Sequence, residues 1–219
     1  MPTKPGHAAG GRGVVEDVDV LRFVVLGDSL AHGTGARRPA DGPGPRLAEV
    51  LGRAGRPVDL HVLAVPGACS ADLAAQVRRA APLGPDLALV VVGANDLARL
   101  IPPDRAAAAL GAATAGLRAG GASVVVATAA DLSSVPGVPP PLRAAVSEAC
   151  VELQRRQAAA AEAAGAVVAP VSAALAQAFA TEPALFSADR YHPSSAGYAR
   201  IAAALAPYVV AAAEPAAAA

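Results

Sequence analysis

Short runs of apolar, largely β-branched residues alternate along the chain with longer stretches rich in alanine and leucine. The runs are Leu21–Leu26, Val58–Val65, Leu87–Val92, Ser123–Ala127 and Ala166–Val171. Each is nearly continuously apolar, the pattern of a strand buried on both faces rather than one. The intervening stretches, about Arg46–Ala54, Ala71–Ala80, Asp104–Ala119, Leu142–Ala164 and Ser194–Ala213, have helix-forming compositions. Gly55, Gly84, Gly120 and Gly165 stand where such helices would stop. This alternation predicts an α/β fold: a five-stranded parallel sheet, doubly wound in three αβα layers, with the flavodoxin-like strand order 2-1-3-4-5. Residues 21–213 are expected to form that single domain. Residues 1–20 read as a flexible head and 214–219 as a frayed tail.

Composition narrows the class. The 219 residues are 54% hydrophobic, but 60 of them are alanine, so the figure overstates how greasy the chain is. The apolar runs Leu87–Val92 and Ile201–Ala213 fall short of the ~20 residues a bilayer requires, and Pro207 interrupts the second. No stable membrane insertion is expected. Eighteen basic side chains balance 18 acidic ones, which argues against a nucleic acid as partner. Met1–Arg12 has no apolar segment between Lys4 and Arg12, so no export signal is visible and a cytoplasmic location is expected. Cys69 and Cys150 supply neither a disulfide framework nor a metal-ligand set and are expected as reduced thiols. No metal or other cofactor is called for, and nothing fixes an oligomeric state.

A doubly wound fold places its site at the carboxyl ends of the strands. The segments there are Leu26-Gly27-Asp28-Ser29-Leu30, Val65-Pro66-Gly67-Ala68 and Gly93-Ala94-Asn95-Asp96. Asp189-Arg190-Tyr191-His192-Pro193 precedes the last helix. Ser29, at a strand-to-helix turn, is either a helix N-cap or a nucleophile in need of a base. His192 is the candidate base, since an imidazole with a pKa near ~6.5 exchanges protons readily at neutral pH. Asp189, three residues earlier, could reach its Nδ1–H and fix the tautomer. Alone, that segment is also a plausible capping loop. Gly67 N–H, the Asn95 amide and the Ser29 N–H are candidate donors to a developing oxyanion; singly, Gly67 and Asn95 read as turn residues. His7 lies in the head, His61 within a strand, and His32 near Ser29 without an acid partner.

Together, in this order and spanning roughly residues 22–205, these four blocks resemble the SGNH/GDSL hydrolase family. The resemblance implies a three-layer αβα fold and a metal-independent serine hydrolase of the esterase/lipase kind. It implies Ser29 as nucleophile, His192 as general base and acid, Asp189 as its orienting partner, and Ser29, Gly67 and Asn95 as the oxyanion hole. Asp28 and Asp96 match flanking positions and are read as structural. The G-x-S-x-G elbow of α/β-hydrolases does not fit, because Leu30 and Ala31 follow Ser29. The expected substrate is a small or medium acyl ester, in a pocket walled by residues 34–45 and 131–141. Arg37, Arg38 or Arg99 could meet an anionic leaving group, although solvated surface arginine is the plainer reading. An acyltransferase or thioesterase would use the same residues, and a non-catalytic binding module would keep the fold. A nucleotide-binding loop is disfavoured, because Gly33-Thr34-Gly35 is followed by Ala36-Arg37-Arg38-Pro39 with no lysine.

Overall fold

The computed structural model describes residues 20–170 and 172–214. The expected head and tail lie almost wholly outside these residues. In chain order the elements are β1 (Leu21–Gly27), α1 (Ser29–His32), α2 (Pro43–Arg53), β2 (Val58–Val62), α3 (Leu73–Ala80), β3 (Leu87–Val91) and α4 (Ala94–Ala98). They continue with α5 (Pro103–Ala119), β4 (Ser123–Ala127), α6 (Arg143–Ala163), β5 (Val167–Ala169), α7 (Ala173–Thr181) and α8 (Ser195–Ala213).

The five strands form one sheet in the order β2-β1-β3-β4-β5, with every pair parallel, as the alternation predicts. Successive side chains of a strand point to opposite faces, and the core divides accordingly. Phe23 and Val25 join Leu47 and Leu51 of α2 and Leu205 and Val209 of α8 on one face. Val24 and Leu26 join Leu73 of α3, Leu110 and Leu117 of α5 and Ala161 of α6 on the other. These apolar contacts are the main force holding the three layers together.

Burial on both faces holds for the interior strands: all five residues of β3 are buried. It fails at the edges. In β2 no residue is fully buried, and β5 has one buried residue, Ala169. An edge strand is covered less well, so the apolar runs overstate both its burial and its length. Two helices were not expected, α4 and α7; α1 starts at the strand-to-helix turn expected around Ser29. Alpha-8 runs on through Pro207 rather than breaking there. Among the described residues it is the one helix long and apolar enough to cross a membrane. Its Ala202, Leu205, Val209 and Ala213 pack into the core instead.

At the carboxyl edge the strands diverge, and buried backbone groups lose their ladder partners. Two glutamines replace them. Gly27 N–H donates to Gln76 Oε1 at 2.7 Å, and Gln76 Nε2 donates back to the Gly27 carbonyl at 2.9 Å. Where β3 and β4 part, Ala129 N–H donates to Gln157 Oε1 at 2.8 Å and Gln157 Nε2 donates to the Val92 carbonyl at 2.9 Å. Both side chains are fully enclosed, where an unpaired peptide group is costly. Replacing Gln157 with leucine, similar in size but unable to hydrogen bond, strands two buried groups. It should cost about 2–6 kcal/mol of stability, at ~1–3 for each of the two groups. Urea unfolding of Gln157→Leu measures this, and an unchanged midpoint would contradict it.

Candidate active site

Beta-1 ends in a turn that only a bare backbone fits. Gly27 has φ +135°, and a Cβ there would lie 1.8 Å from the Val91 carbonyl oxygen of β3. The next residue, Asp28, caps α1: its Oδ1 accepts the Leu30 N–H at 2.9 Å. Its carboxyl group also accepts the N–H groups of Gly93 and Ala94, and so ties the β1 turn to the β3–α4 turn. Burial pushes the Asp28 pKa up to about 6, against the pull of those backbone bonds and with the charge of Asp96 adding to the rise. Ser29 follows directly, 8% exposed at the rim of the sheet.

The segment carrying His192 is a small braced hairpin. Phe186 and Pro193 form an antiparallel bridge. Ser187 N–H donates to the His192 carbonyl at 2.8 Å and Ser194 N–H to the Leu185 carbonyl at 2.7 Å. Arg190, at φ +57°, turns the chain. Inside the hairpin Asp189 Oδ1 accepts Ser187 Oγ–H at 2.7 Å and the N–H groups of Tyr191 and His192, each at 2.9 Å. Its Oδ2 lies 2.7 Å from His192 Nδ1. Partial burial works to raise the Asp189 pKa, but bonds from His192, Ser187 and the two peptide N–H groups outweigh it and hold the carboxyl well below its ordinary range. An ionised carboxylate only accepts. His192 therefore donates from Nδ1, and Nε2 is left to accept the Ser29 hydroxyl at 2.9 Å.

Residues 34–46 prove to be a brace behind this hairpin. Arg37 N–H donates to Ser195 Oγ at 2.9 Å, and Ser195 Oγ–H donates to Asp41 Oδ2 at 2.9 Å. Arg46 donates to the carbonyls of Asp41 and Ser195 at 2.8 and 3.2 Å, and the Tyr198 hydroxyl to that of Thr34 at 2.7 Å. Bonds from Arg38 and Ser195 hold the Asp41 carboxyl below its usual range. The first turn of α8, and with it His192, is thereby fixed relative to α1.

Gly67 and Asn95 sit on neighbouring loops. Asn95 Nδ2 donates to the Ala68 carbonyl at 3.0 Å, which leaves its second N–H. Asp96, buried, accepts Ser70 N–H at 3.0 Å and Ser70 Oγ–H at 3.1 Å. Arg99 donates to the Gly67 carbonyl at 3.0 Å. Gly67 is exposed with φ +84°, and a Cβ there would meet nothing within 4 Å. Among the described residues, no acceptor takes its N–H.

A cavity of about 120 Å³ opens beside Ser29 and His192. Asp131, Leu132, Ser134 and Val135 line it, as expected of the segment after β4, but residues 34–45 do not. Its other walls come from β4, β5, α7, α8 and the hairpin, notably Leu175, Phe179, Phe186, Ile201 and Leu205. The α7 wall went unread in the sequence. Its signal was Ser172, whose hydroxyl caps the helix by accepting Leu175 N–H at 3.1 Å.

Of the site residues read from the sequence, Ser29, His192 and Asp189 are brought into one hydrogen-bonded chain. Gly67 and Asn95 are brought next to each other, without a hydrogen bond to that chain. His32 is exposed and does not line the cavity, and His61 pairs with Asp59 on the surface. His7 lies outside the described residues. Cys69 and Cys150 are buried free thiols. Among the described residues no cluster of His, Cys, Asp or Glu is arranged to hold a metal.

Comparison with known proteins agrees with this architecture. Residues 25–200 match the model of the GDSL-like Lipase/Acylhydrolase family. A GDSL-like esterase of Mycobacterium tuberculosis is 39% identical over 183 residues, covering 82% of this chain; the chain spans 58% of that relative's length. Among solved structures, TesA superposes with a TM-score of 0.72 at 22% identity, over 87% of this chain and 99% of its own. Axe2, an acetylxylan esterase from Geobacillus stearothermophilus, gives 0.70 at 19%, over 88% and 95%. At those identities the shared feature is the fold.

The two buried or bonded aspartates leave opposite marks on stability. A folded-state pKa of about 6 for Asp28, above its ordinary 3.8, means the folded protein holds a proton that the unfolded chain has released. The contribution of Asp28 is therefore full below pH ~4 and falls by about 3 kcal/mol as pH rises through ~6. Asp189, depressed, loses its contribution only at still lower pH. Unfolding free energies from pH 4 to 7 should show that decline in the wild type and lack it in Asp28→Asn. Parallel curves would contradict the assignment.

Proposed function

This chain belongs to the GDSL-like lipase/acylhydrolase family, and we propose that it is a serine carboxylic ester hydrolase using Ser29, His192 and Asp189. The observation that carries this reading is the contact chain from Ser29 Oγ to His192 Nε2 at 2.9 Å and from His192 Nδ1 to Asp189 Oδ2 at 2.7 Å. A serine hydroxyl is a poor nucleophile at its free pKa and needs a base within hydrogen-bond reach; the base in turn needs its tautomer fixed.

In the proposed reaction Ser29 Oγ attacks the acyl carbonyl carbon while its proton passes to His192 Nε2. The carbonyl π electrons move to oxygen, and the oxyanion is met by N–H groups of Ser29, Gly67 and Asn95. Asp189 stabilises the imidazolium and keeps its own charge. The tetrahedral centre collapses, the bond to the leaving oxygen breaks, and His192 returns the proton to the departing alcohol. Water then enters, gives a proton to His192 and attacks the acyl-enzyme. Collapse of the second tetrahedral centre releases the acid and restores Ser29 O–H. Every proton is returned, so the cycle consumes only ester and water. The unused second N–H of Asn95 and the unpartnered N–H of Gly67 support their roles, since an oxyanion donor has to be free before the reaction starts.

Steady-state hydrolysis of p-nitrophenyl butyrate tests the assignments. Ser29→Ala and His192→Ala should each lower kcat on the order of 10⁵-fold. Asn95→Ala should remain folded and lose ~10²–10³. Wild-type rates in the first two variants would overturn the mechanism, and a wild-type rate in the third would remove Asn95 from it.

A further inference from the structure

Three side chains from the short α4 segment hold the loop that carries Gly67. Asn95 Nδ2 donates to the Ala68 carbonyl at 3.0 Å, and Arg99 Nη2 donates to the Gly67 carbonyl at 3.0 Å. Asp96 accepts Ser70 N–H from the same loop at 3.0 Å. Asn95 and Arg99 stand four residues apart, so their side chains lie on one side of α4, and they take successive carbonyls of the loop. The base from which Arg99 reaches is itself fixed. Arg99 is the C-cap of α4, and Leu100 follows it in the left-handed region at φ +52°. Leu100 N–H donates to the Leu97 carbonyl at 3.0 Å and Ile101 N–H to the Asp96 carbonyl at 2.9 Å. These are the two bonds of a Schellman motif, which glycine ordinarily closes. The leucine there is 89% exposed, so no burial of its side chain offsets the strain. Strain of this kind persists where the surroundings over-determine it, and it clusters beside functional groups.

Gly67 needs an anchor. Ala68 N–H donates to the Val65 carbonyl at 3.0 Å and closes a β-turn with Pro66 second and Gly67 third. The φ of +84° at Gly67 makes the turn type II, with glycine at the position that demands positive φ. Val65 N–H ties the start of the turn to the Gly27 carbonyl of β1 at 3.0 Å. The tip is not packed: Gly67 is exposed, and a Cβ there would meet nothing within 4 Å. Among the described residues, the bond from Arg99 is the one hydrogen bond that Gly67 makes.

We propose that Arg99 is a positioning residue for ester hydrolysis: by holding the Gly67 carbonyl it keeps the Gly67 N–H aimed at the developing oxyanion. The proposal rests on the serine-hydrolase reading, in which that N–H is an oxyanion donor. Arg99 acts through Gly67 and does not line the cavity beside Ser29. An oxyanion donor serves only within about 2.7–3.1 Å of the oxygen it meets, and a displacement of ~1 Å in a site can cost on the order of 10²-fold. A turn pinned at its two ends, with a glycine tip that touches nothing, is free to rock. An exposed carbonyl that loses Arg99 bonds to water instead, so the bond adds little to stability. Its effect falls on the step in which charge develops on the oxygen, which places it in kcat rather than in KM.

The test is hydrolysis of p-nitrophenyl butyrate by wild type, Arg99→Met, Arg99→Lys and Ser29→Ala, with inhibition by an alkyl trifluoromethyl ketone. Ser29 Oγ would add to the ketone carbonyl carbon, its proton passing to His192 Nε2 and the π electrons to oxygen, so the adduct places an oxyanion where the transition state does. Arg99→Met keeps an apolar stem and removes the donors. It should lower kcat about 10–100-fold, leave KM within about twofold, weaken the ketone by a factor similar to the loss in kcat, and leave the urea midpoint of unfolding nearly unchanged. Arg99→Lys, which can still donate to the carbonyl, should recover most of the loss in both kcat and ketone affinity. A kcat in Arg99→Met within twofold of wild type would overturn the proposal. A raised KM with kcat unchanged would make Arg99 a substrate-binding group and equally overturn it. So would a lowered urea midpoint with a kcat that lysine does not restore, the signature of a structural role. Each of these leaves the mechanism at Ser29 standing, whereas turnover that survives in Ser29→Ala would remove the mechanism itself, and the role of Arg99 with it.

Discussion

Every strand of a parallel sheet must end, and where neighbours end at different heights their peptide groups lose partners in a region water does not reach. That constraint governs this molecule. At the carboxyl edge, peptide groups of the strand ends and of the turns that follow them are bonded by buried side chains: Gln76 to Gly27, Gln157 to Val92 and Ala129, Asp28 to Gly93 and Ala94, Asp96 to Ser70. Each bond satisfies a buried group, and each also fixes a loop that carries a candidate reactive side chain. Ser29 stands one residue beyond Asp28, and Asn95 one residue before Asp96. The same interactions that make the edge foldable therefore position the site.

Two aspartates in that edge show how environment divides one residue type into two roles. Asp28 is enclosed and spends its acceptors on peptide N–H groups; desolvation raises its pKa to about 6. Its partners are the N–H groups of Leu30, Gly93 and Ala94, and it acts as a clamp. Asp189 is nearly half exposed, takes four donors within one short hairpin and stays ionised. Such a carboxylate has charge to offer an imidazole. Geometry alone would rank the more buried acid as the more catalytic; the hydrogen-bond partners reverse that order.

Much of this was legible in the sequence. The interior strands are written as apolar runs, and the βα alternation calls for a parallel sheet; the order 2-1-3-4-5 is one of the doubly wound orders that alternation allows, and it is the one found. The four polar blocks fall at strand ends where the fold requires them to meet. The failures have physical causes. Beta-5 carries the same apolar letters as the interior strands yet lies at an edge, and letters do not report a missing neighbour; β2 does differ, since Asp59 and His61 alternate with Val58, Leu60 and Val62 in the pattern of a half-exposed strand. Alpha-7 is hidden because Ala173–Thr181 follows an apolar run whose breaks, Pro170 and Ser172, are slight in a chain where alanine is everywhere. Missing α7 meant missing one side of the cavity. Residues 34–45 look like a pocket wall by their Gly and Pro content, but Asp41 and Ser195 draw them behind His192 instead. Gln76 and Gln157 are unremarkable in sequence, because the need they meet exists only where strands diverge.

The central claim is that Ser29 is activated by His192 and Asp189. The most direct measurement is intact mass after exposure to a fluorophosphonate probe, with wild type and Ser29→Ala compared, followed by peptide mapping. The account predicts one adduct on the wild type, located on the peptide containing Ser29, and none on the variant. A folded wild type that takes no adduct, or a Ser29→Ala protein labelled to the same extent, would contradict it.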